Sequence, residues 1–202
     1  MNKAGILLIL FLFVAVGFFA DSEEIINRVM VIVDDDVITL FDLQKAAAWN
    51  GKVYDLMAEK EKEDLAQQLI NRLLVFQEIN KTGGIILNND LLSSAVNSMK
   101  AKKPAASFSD DDIIEYAKTQ LLIQAFATQR FAPLVKISEE EIREYYNTNY
   151  GGGARNDSVQ PALPEVYNSI KAVLEQRVIN NLLKDWLDKQ KLIHKIQFIK
   201  PL

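Results

Sequence analysis

Cysteine is absent from all 202 residues, and histidine occurs once, at His194. Without cysteine there is no disulfide scaffold, no thiol catalysis and no lipid attachment through an N-terminal cysteine, so stability must come from packing. The lone histidine has no serine or cysteine partner in a recognisable nucleophile signature, which leaves it a structural or exposed role. Positive charge is also short: 23 Lys and Arg face 27 Asp and Glu, a net charge of −4, and loss of Lys3 with a leader makes the chain more acidic still. That balance offers no basic face for nucleic acid. Gly151 to Gly153 lack the GK[ST] ending of a phosphate loop and its strand-to-helix setting, so they read as a tether. Asp34 to Asp36 lack the spaced ligands and glycine of a calcium loop and read as a turn. No active site, metal site or cofactor site emerges, and the expectation is a chain that is not an enzyme.

What the chain does have is apolar content, 49% of its residues, enough for a core in a domain of ordinary size. It begins with a short charged region ending at Lys3, followed by the uncharged run Ala4 to Phe19. A membrane-crossing helix needs about 20 apolar residues. The run is shorter and reads as a signal peptide over residues 1–20, with cleavage after Gly17 or Ala20, an uncleaved anchor being the alternative. The expected product is exported, with no stable membrane insertion after cleavage.

The densest local signal is Ile25 to Leu43, IINRVMVIVDDDVITLFDL. Val29, Val31 and Val33 alternate with Met30 and Ile32, the three aspartates interrupt, and Val37-Ile38 resume, which predicts a small hairpin. Thr39 then stands at a helix N-cap with Asp42 in capping-box position. Leu65, Leu69, Leu73 and Phe76, widened by Ile70, Leu74 and Ile79, predict a helix stopped by Gly83-Gly84. Asn89 to about Lys102 predicts another, ended by Lys103-Pro104. Ser109 with Asp110 to Asp112 opens a helix whose carboxylates face the positive end of its dipole, and Pro133 stops it. Ser138 with Glu141 is a further capping box.

From Asn147 to Pro164 periodicity disappears among glycines, polar residues and prolines. After it Val166, Ile170, Leu174, Val178, Leu182 and Trp186 step by four along one helix, about Glu165 to Gln190, that needs a partner surface. Ile193 to Ile199 close the chain as a strand whose only apparent mate is the N-terminal ribbon. The expected fold is therefore mainly α, with a small antiparallel β-ribbon completed by the C-terminal strand. Its division is a leader (1–20), a helical domain with the ribbon (21–148), a flexible linker (149–163), and a C-terminal helix and strand (164–202) packing back on the first domain.

This order of motifs resembles the SurA-like family of periplasmic chaperones, with its PpiC/PpiD and PrsA relatives. The resemblance rests on NRVMVIVDDDVITLFDL after a leader, LINRLLVFQEINKTGGIILNNDLL, FSDDDIIEYAKTQLLIQAF, VKISEEEIREYYNTNY, and the terminal VYNSIKAVLEQRVINNLLKDWLDKQKLIHKIQFI. It implies a helical chaperone domain in the periplasm. In that family a parvulin prolyl-isomerase domain of about 90 residues or more follows the EIREYY segment; here nineteen residues separate Tyr146 from Val166, too few for such a domain. The paired parvulin histidines are missing as well. The resemblance thus implies the chaperone module without the isomerase.

The expected function is an ATP-independent holdase that binds unfolded outer-membrane or secreted polypeptides through apolar surface and main-chain contacts. The alternative is a non-catalytic envelope assembly subunit with one dedicated partner, or a homodimer formed by swapping the C-terminal helix. For peptide contact, aromatic and methionine side chains suit varied extended segments. Trp49, Tyr54 and Met57 near the end of the first helix, with Met99 and Phe108 around the Pro104 break, are the candidates, and Trp186 is assigned to packing.

Overall fold

The computed structural model describes residues 27–101, 108–150 and 161–199. The expected leader, the Pro104 break and most of the expected linker lie outside them. Two strands, β1 (Val29–Val33) and β2 (Asp36–Thr39), form an antiparallel hairpin in which Val31 faces Ile38, Ile32 faces Val37 and Val33 faces Asp36. The turn needs a left-handed residue, and Asp34 supplies it at φ +53, a conformation aspartate tolerates better than most side chains.

Chain direction changes at once into helix α1 (Leu40–Trp49). The Thr39 N–H donates to Asp42 Oδ2 (2.9 Å) and the Asp42 N–H donates to Thr39 Oγ1 (3.3 Å), so both halves of the capping box are made. Helix α2 (Glu59–Lys81) buries Leu65, Leu69, Ile70, Leu74, Val75 and Ile79. The centre of its apolar face runs through Ile70 and Leu74, with Leu73 and Phe76 at the half-buried margin. Gly83 and Gly84 both take positive φ, and the Gly84 N–H reaches back to the Ile79 carbonyl (2.9 Å), closing the helix as the double glycine predicts.

Helix α3 (Asn89–Ala101) buries none of its residues and packs chiefly on α4 (Asp110–Phe131), which starts at the Ser109–Asp112 capping box. Pro133 lies in the 3-10 turn that ends α4. Helix α5 (Glu139–Asn149) begins at the Ser138–Glu141 box and continues through Asn149, beyond where periodicity fades. Helix α6 (Leu163–Ile193) is longer at both ends than its apolar repeat suggests. Pro164 sits in its first turn, where the missing N–H costs no helical hydrogen bond.

The buried face of α6 does not follow one stripe. Ile170 and Leu174 are buried against α5, whereas Ile179, Trp186 and Leu187 are buried in the main core; Val178 and Leu182 are only half-buried. A step of four overshoots the 3.6-residue turn, so the stripe rotates around the helix, and the partner changes along its length. The Trp186 assignment to packing agrees with its place beside Phe126, ring centroids 5.1 Å apart.

The C-terminal strand β3 (Ile196–Phe198) pairs antiparallel with β1, giving the sheet order β2-β1-β3. Val31 faces Phe198 and Val33 faces Ile196, while the Ile199 N–H donates to the Met30 carbonyl (2.8 Å). The first and last strands of the described residues therefore share one sheet, as the sequence leads one to expect. Ile193 departs from the expected strand: it is the last residue of α6 and 74% exposed. His194 has the structural role, its Nδ1 2.5 Å from Asp34 Oδ2. The Lys195 N–H adds a bond to the other oxygen of Asp34 (2.9 Å), and the Asp34 N–H donates to the Lys195 carbonyl (2.9 Å). Asp34 thus fastens the hairpin turn to the start of β3.

Candidate functional site

Three helices, α1, α2 and α4, leave a groove between them, and each contributes one stripe at helical spacing. From α1 come Asp42, Lys45 and Trp49; from α2, Leu69, Arg72 and Phe76; from α4, Asp112, Tyr116 and Thr119. The groove has two halves. One is a cavity of about 140 Å³ walled by Trp49 and Tyr116, and the other, about 290 Å³, is walled by Val37, Leu73 and Phe76. Both are lined by Asp42, Leu69, Arg72, Glu115 and Thr119, so these residues form a waist between an aromatic end and an apolar end. Strand β2 is an edge of the sheet, and its Val37, 50% exposed, stands at the apolar end.

The aromatic end is a stack of three rings. Trp49, the last residue of α1, lies between Phe108 (centroids 3.9 Å apart, planes 5° apart) and Tyr116 (4.1 Å, 16°). Parallel packing on both faces fixes the indole and joins the end of α1 to the approach to α4. Next to the stack, Lys45 Nζ lies 2.7 Å from Asp112 Oδ1 and 3.2 Å from Glu115 Oε2. The Lys45 hydrogen bond, with the Ser109 cap behind it, lowers the Asp112 carboxyl to about 2, and the same contact to Asp112 raises Lys45. Both groups are thus charged across the whole neutral range.

Charge at the waist is differently arranged. Asp42 is engaged by the α1 cap and Glu115 by Lys45. None of the ion pairs among the described residues involves Arg72, which is half-buried. Thr119 is a buried polar residue of the body, 9% exposed. A helical threonine commonly returns its hydroxyl to the carbonyl four residues back, as Thr82 does to Glu78 at 3.0 Å. Thr119 lines both halves of the groove, and its hydroxyl is not among the buried polar atoms left without a partner, which among the described residues are the Tyr54 hydroxyl, Asn71 Oδ1 and Gln77 Oε1.

Of the five candidate contact residues, the fold brings Trp49 and Phe108 together and separates the others. Tyr54 is a correction: it is 4% exposed and belongs to the main core, its hydroxyl buried without a partner and its ionisation pushed up by that burial. The 3-10 turn after α1 folds the ring inward, beneath Lys62 Nζ at 5.1 Å from its centroid. Met57 likewise packs against the core, half-buried. Met99 lies half-buried on α3 and lines neither half of the groove. Arg72 and Thr119 were not legible as site residues by chemistry alone. Their signal is the three matching stripes, visible only when the helices are known to face one another.

Among the described residues no group of three or more His, Asp or Glu side chains could hold a metal ion, and no helix is long and apolar enough to cross a membrane. No protein-family model matches the chain, and no curated protein is significantly similar to it.

Proposed function

We propose that the protein is an ATP-independent holdase of the periplasm, exported by its N-terminal leader, and that it binds unfolded outer-membrane or secreted polypeptides in the groove between α1, α2 and α4. The observation that carries this reading is the closed sheet: β3 returns along α6 to pair with β1, as the SurA-like resemblance implies for a chain that leaves out the isomerase. The ends of the excursion meet, since the Tyr146 hydroxyl donates to the Pro161 carbonyl at 3.0 Å. Binding of this kind needs an aromatic and apolar cleft with a few polar groups and no reacting centre. The groove supplies that combination.

The test is an aggregation assay with purified mature protein and a denatured outer-membrane barrel diluted from urea. A delay that grows with protein concentration, without ATP, is expected; no delay at a several-fold molar excess sinks the proposal. In a proline-limited refolding assay the same preparation should leave the uncatalysed rate, tens to hundreds of seconds, unchanged. A second reading, one dedicated envelope partner, draws on Leu192 and Ile193, 85% and 74% exposed at the end of α6. It predicts protection of a single client among many, where the holdase reading predicts protection of most.

A further inference from the structure

Where the described chain starts, at Asn27, it stands beside large apolar side chains left open. Phe41 is 57% exposed, Val53 61% and Leu56 84%, the last two at the 3-10 turn that buries Tyr54. Both parts of this surface are tied to the entry of the chain into β1. The Phe41 N–H donates to Asn27 Oδ1 (3.2 Å), and the Leu40 N–H donates to the Arg28 carbonyl (2.7 Å). The Tyr54 hydroxyl, whose ionisation is pushed up by burial and then by Glu59, also feels the opposing charge of Arg28. Asn27 thus stands at Phe41, and Arg28 stands near the turn.

We infer that this surface is covered by the segment of the same chain that precedes Asn27, residues 21–26, with Ile25 on Phe41 and Ile26 on Val53 and Leu56. Alternation makes the assignment. In an extended chain successive side chains point to opposite sides, so a segment that enters β1 in that form puts Ile25 on the side of Asn27 and Ile26 on the side of Arg28. Proximity selects this occupant over a second copy. Ile26 is bonded to Asn27, and so short a tether gives an effective concentration of the order of millimolar or more, whereas a second copy must come from solution.

Charge agrees with the choice. Arg28, and Lys62 with its Nζ over the Tyr54 ring, take part in none of the ion pairs among the described residues, and the segment carries the carboxylates of Asp21, Glu23 and Glu24. Glu59 and Asp55 share the neighbourhood, so apolar contact carries most of the attraction. Phe41, Val53 and Leu56 line neither half of the α1/α2/α4 groove, and the contact is independent of what that groove binds. Its effect is to remove from the folded protein an apolar surface that would otherwise promote association.

The experiment is nuclear magnetic resonance on the purified mature protein with Ile, Leu and Val methyls and Phe rings labelled. Nuclear Overhauser contacts are expected from the Ile25 methyl to the Phe41 ring and from the Ile26 methyl to the Val53 and Leu56 methyls. Mixing labelled with unlabelled copies should leave them intact, as contacts within one chain. Leu56→Ser should weaken the Ile26 contacts, keep Ile25 on Phe41 and barely move the melting temperature, because Leu56 lies outside the core. Ile25→Ser with Ile26→Ser should raise the fluorescence of an added apolar dye several-fold, and further substitution of Phe41→Ser and Leu56→Ser should bring it down again. Ile25 and Ile26 methyls at unstructured shifts, without these contacts, overturn the inference. The same contacts found between copies overturn it too, by making the surface a dimer interface, as does dye fluorescence that the double substitution leaves unchanged.

Discussion

The body of the molecule and the arm formed by α5 and the first half of α6 are built to different standards. The body packs the sheet, α1, α2, the end of α4 and the end of α6 around a large core in which Met30, Leu43 and Ile70 are fully enclosed. The arm has three buried side chains, Ile142, Ile170 and Leu174, with tyrosines around them. Ile137, Leu163 and Val166 pack on it partly buried, and polar ties add to it: the Tyr146 hydroxyl to Pro161, the Tyr167 hydroxyl to Glu139, and Arg177 over the Tyr145 ring at 5.6 Å. Burial of a few side chains cannot hold two helices independently of their neighbours. The arm is ordered because α6 runs without interruption from it into the body. A cleft that must keep its geometry for binding therefore belongs in the body, and the groove is there.

The largest expected effect follows from the body core. Ile70→Ala removes a fully enclosed side chain of the main core and should cost about 2–5 kcal/mol in urea unfolding. Deleting residues 194–202 comes next. It strips the antiparallel partner from β1, the half-buried Ile196, Phe198 and Ile199, and the clasp on Asp34. Roughly 3 kcal/mol of lost stability is expected, from partial apolar burial and a handful of net hydrogen bonds. An unchanged melting temperature would show that the strand is an appendage.

Ile170→Ala probes the arm at a residue as buried as Ile70. Here the cost should appear locally, as faster amide hydrogen exchange in α5, while global unfolding shifts by less than half as much as for Ile70→Ala. Equal shifts would mean that arm and body unfold as one unit. The smallest effect is electrostatic. The His194 hydrogen bond, then the Lys195 N–H, lowers the Asp34 carboxyl from its ordinary 3.8. A lowered folded-state value means that stability from this group is complete above that ordinary value and declines as pH falls through the lowered one. Asp34→Asn should flatten this acid limb by under about 1 kcal/mol, because the clasp is partly open to solvent. A parallel pH profile in the variant would assign the limb to other carboxylates.

Much of this architecture is legible in the sequence because it is local. Capping boxes at Thr39, Ser109 and Ser138 place helix starts to the residue, and the Gly83-Gly84 stop places an end. The return of the C-terminal strand is also legible, by elimination, since a strand needs a mate. What escapes is whatever depends on a partner helix. The α6 repeat suggests one face, but the face changes where α5 gives way to the body. Tyr54 looks like a contact residue until the turn at Val53–Met57 folds it into the core. Trp49 and Phe108 could be paired only by knowing that the end of α1 meets the approach to α4. Thr119 is one threonine among several in the sequence, and only its burial beside an open groove distinguishes it.

The most direct test of the account places a photo-crosslinking residue in turn at Gln120, on the rim of the groove, and at Val173, exposed on the arm, then adds an unfolded outer-membrane barrel. Crosslinks to client from position 120, competed by an excess of a second unfolded outer-membrane barrel, with little or none from position 173, are the predicted result. Crosslinking that is equal at the two positions, or stronger on the arm, would contradict the claim that the body groove is where clients bind.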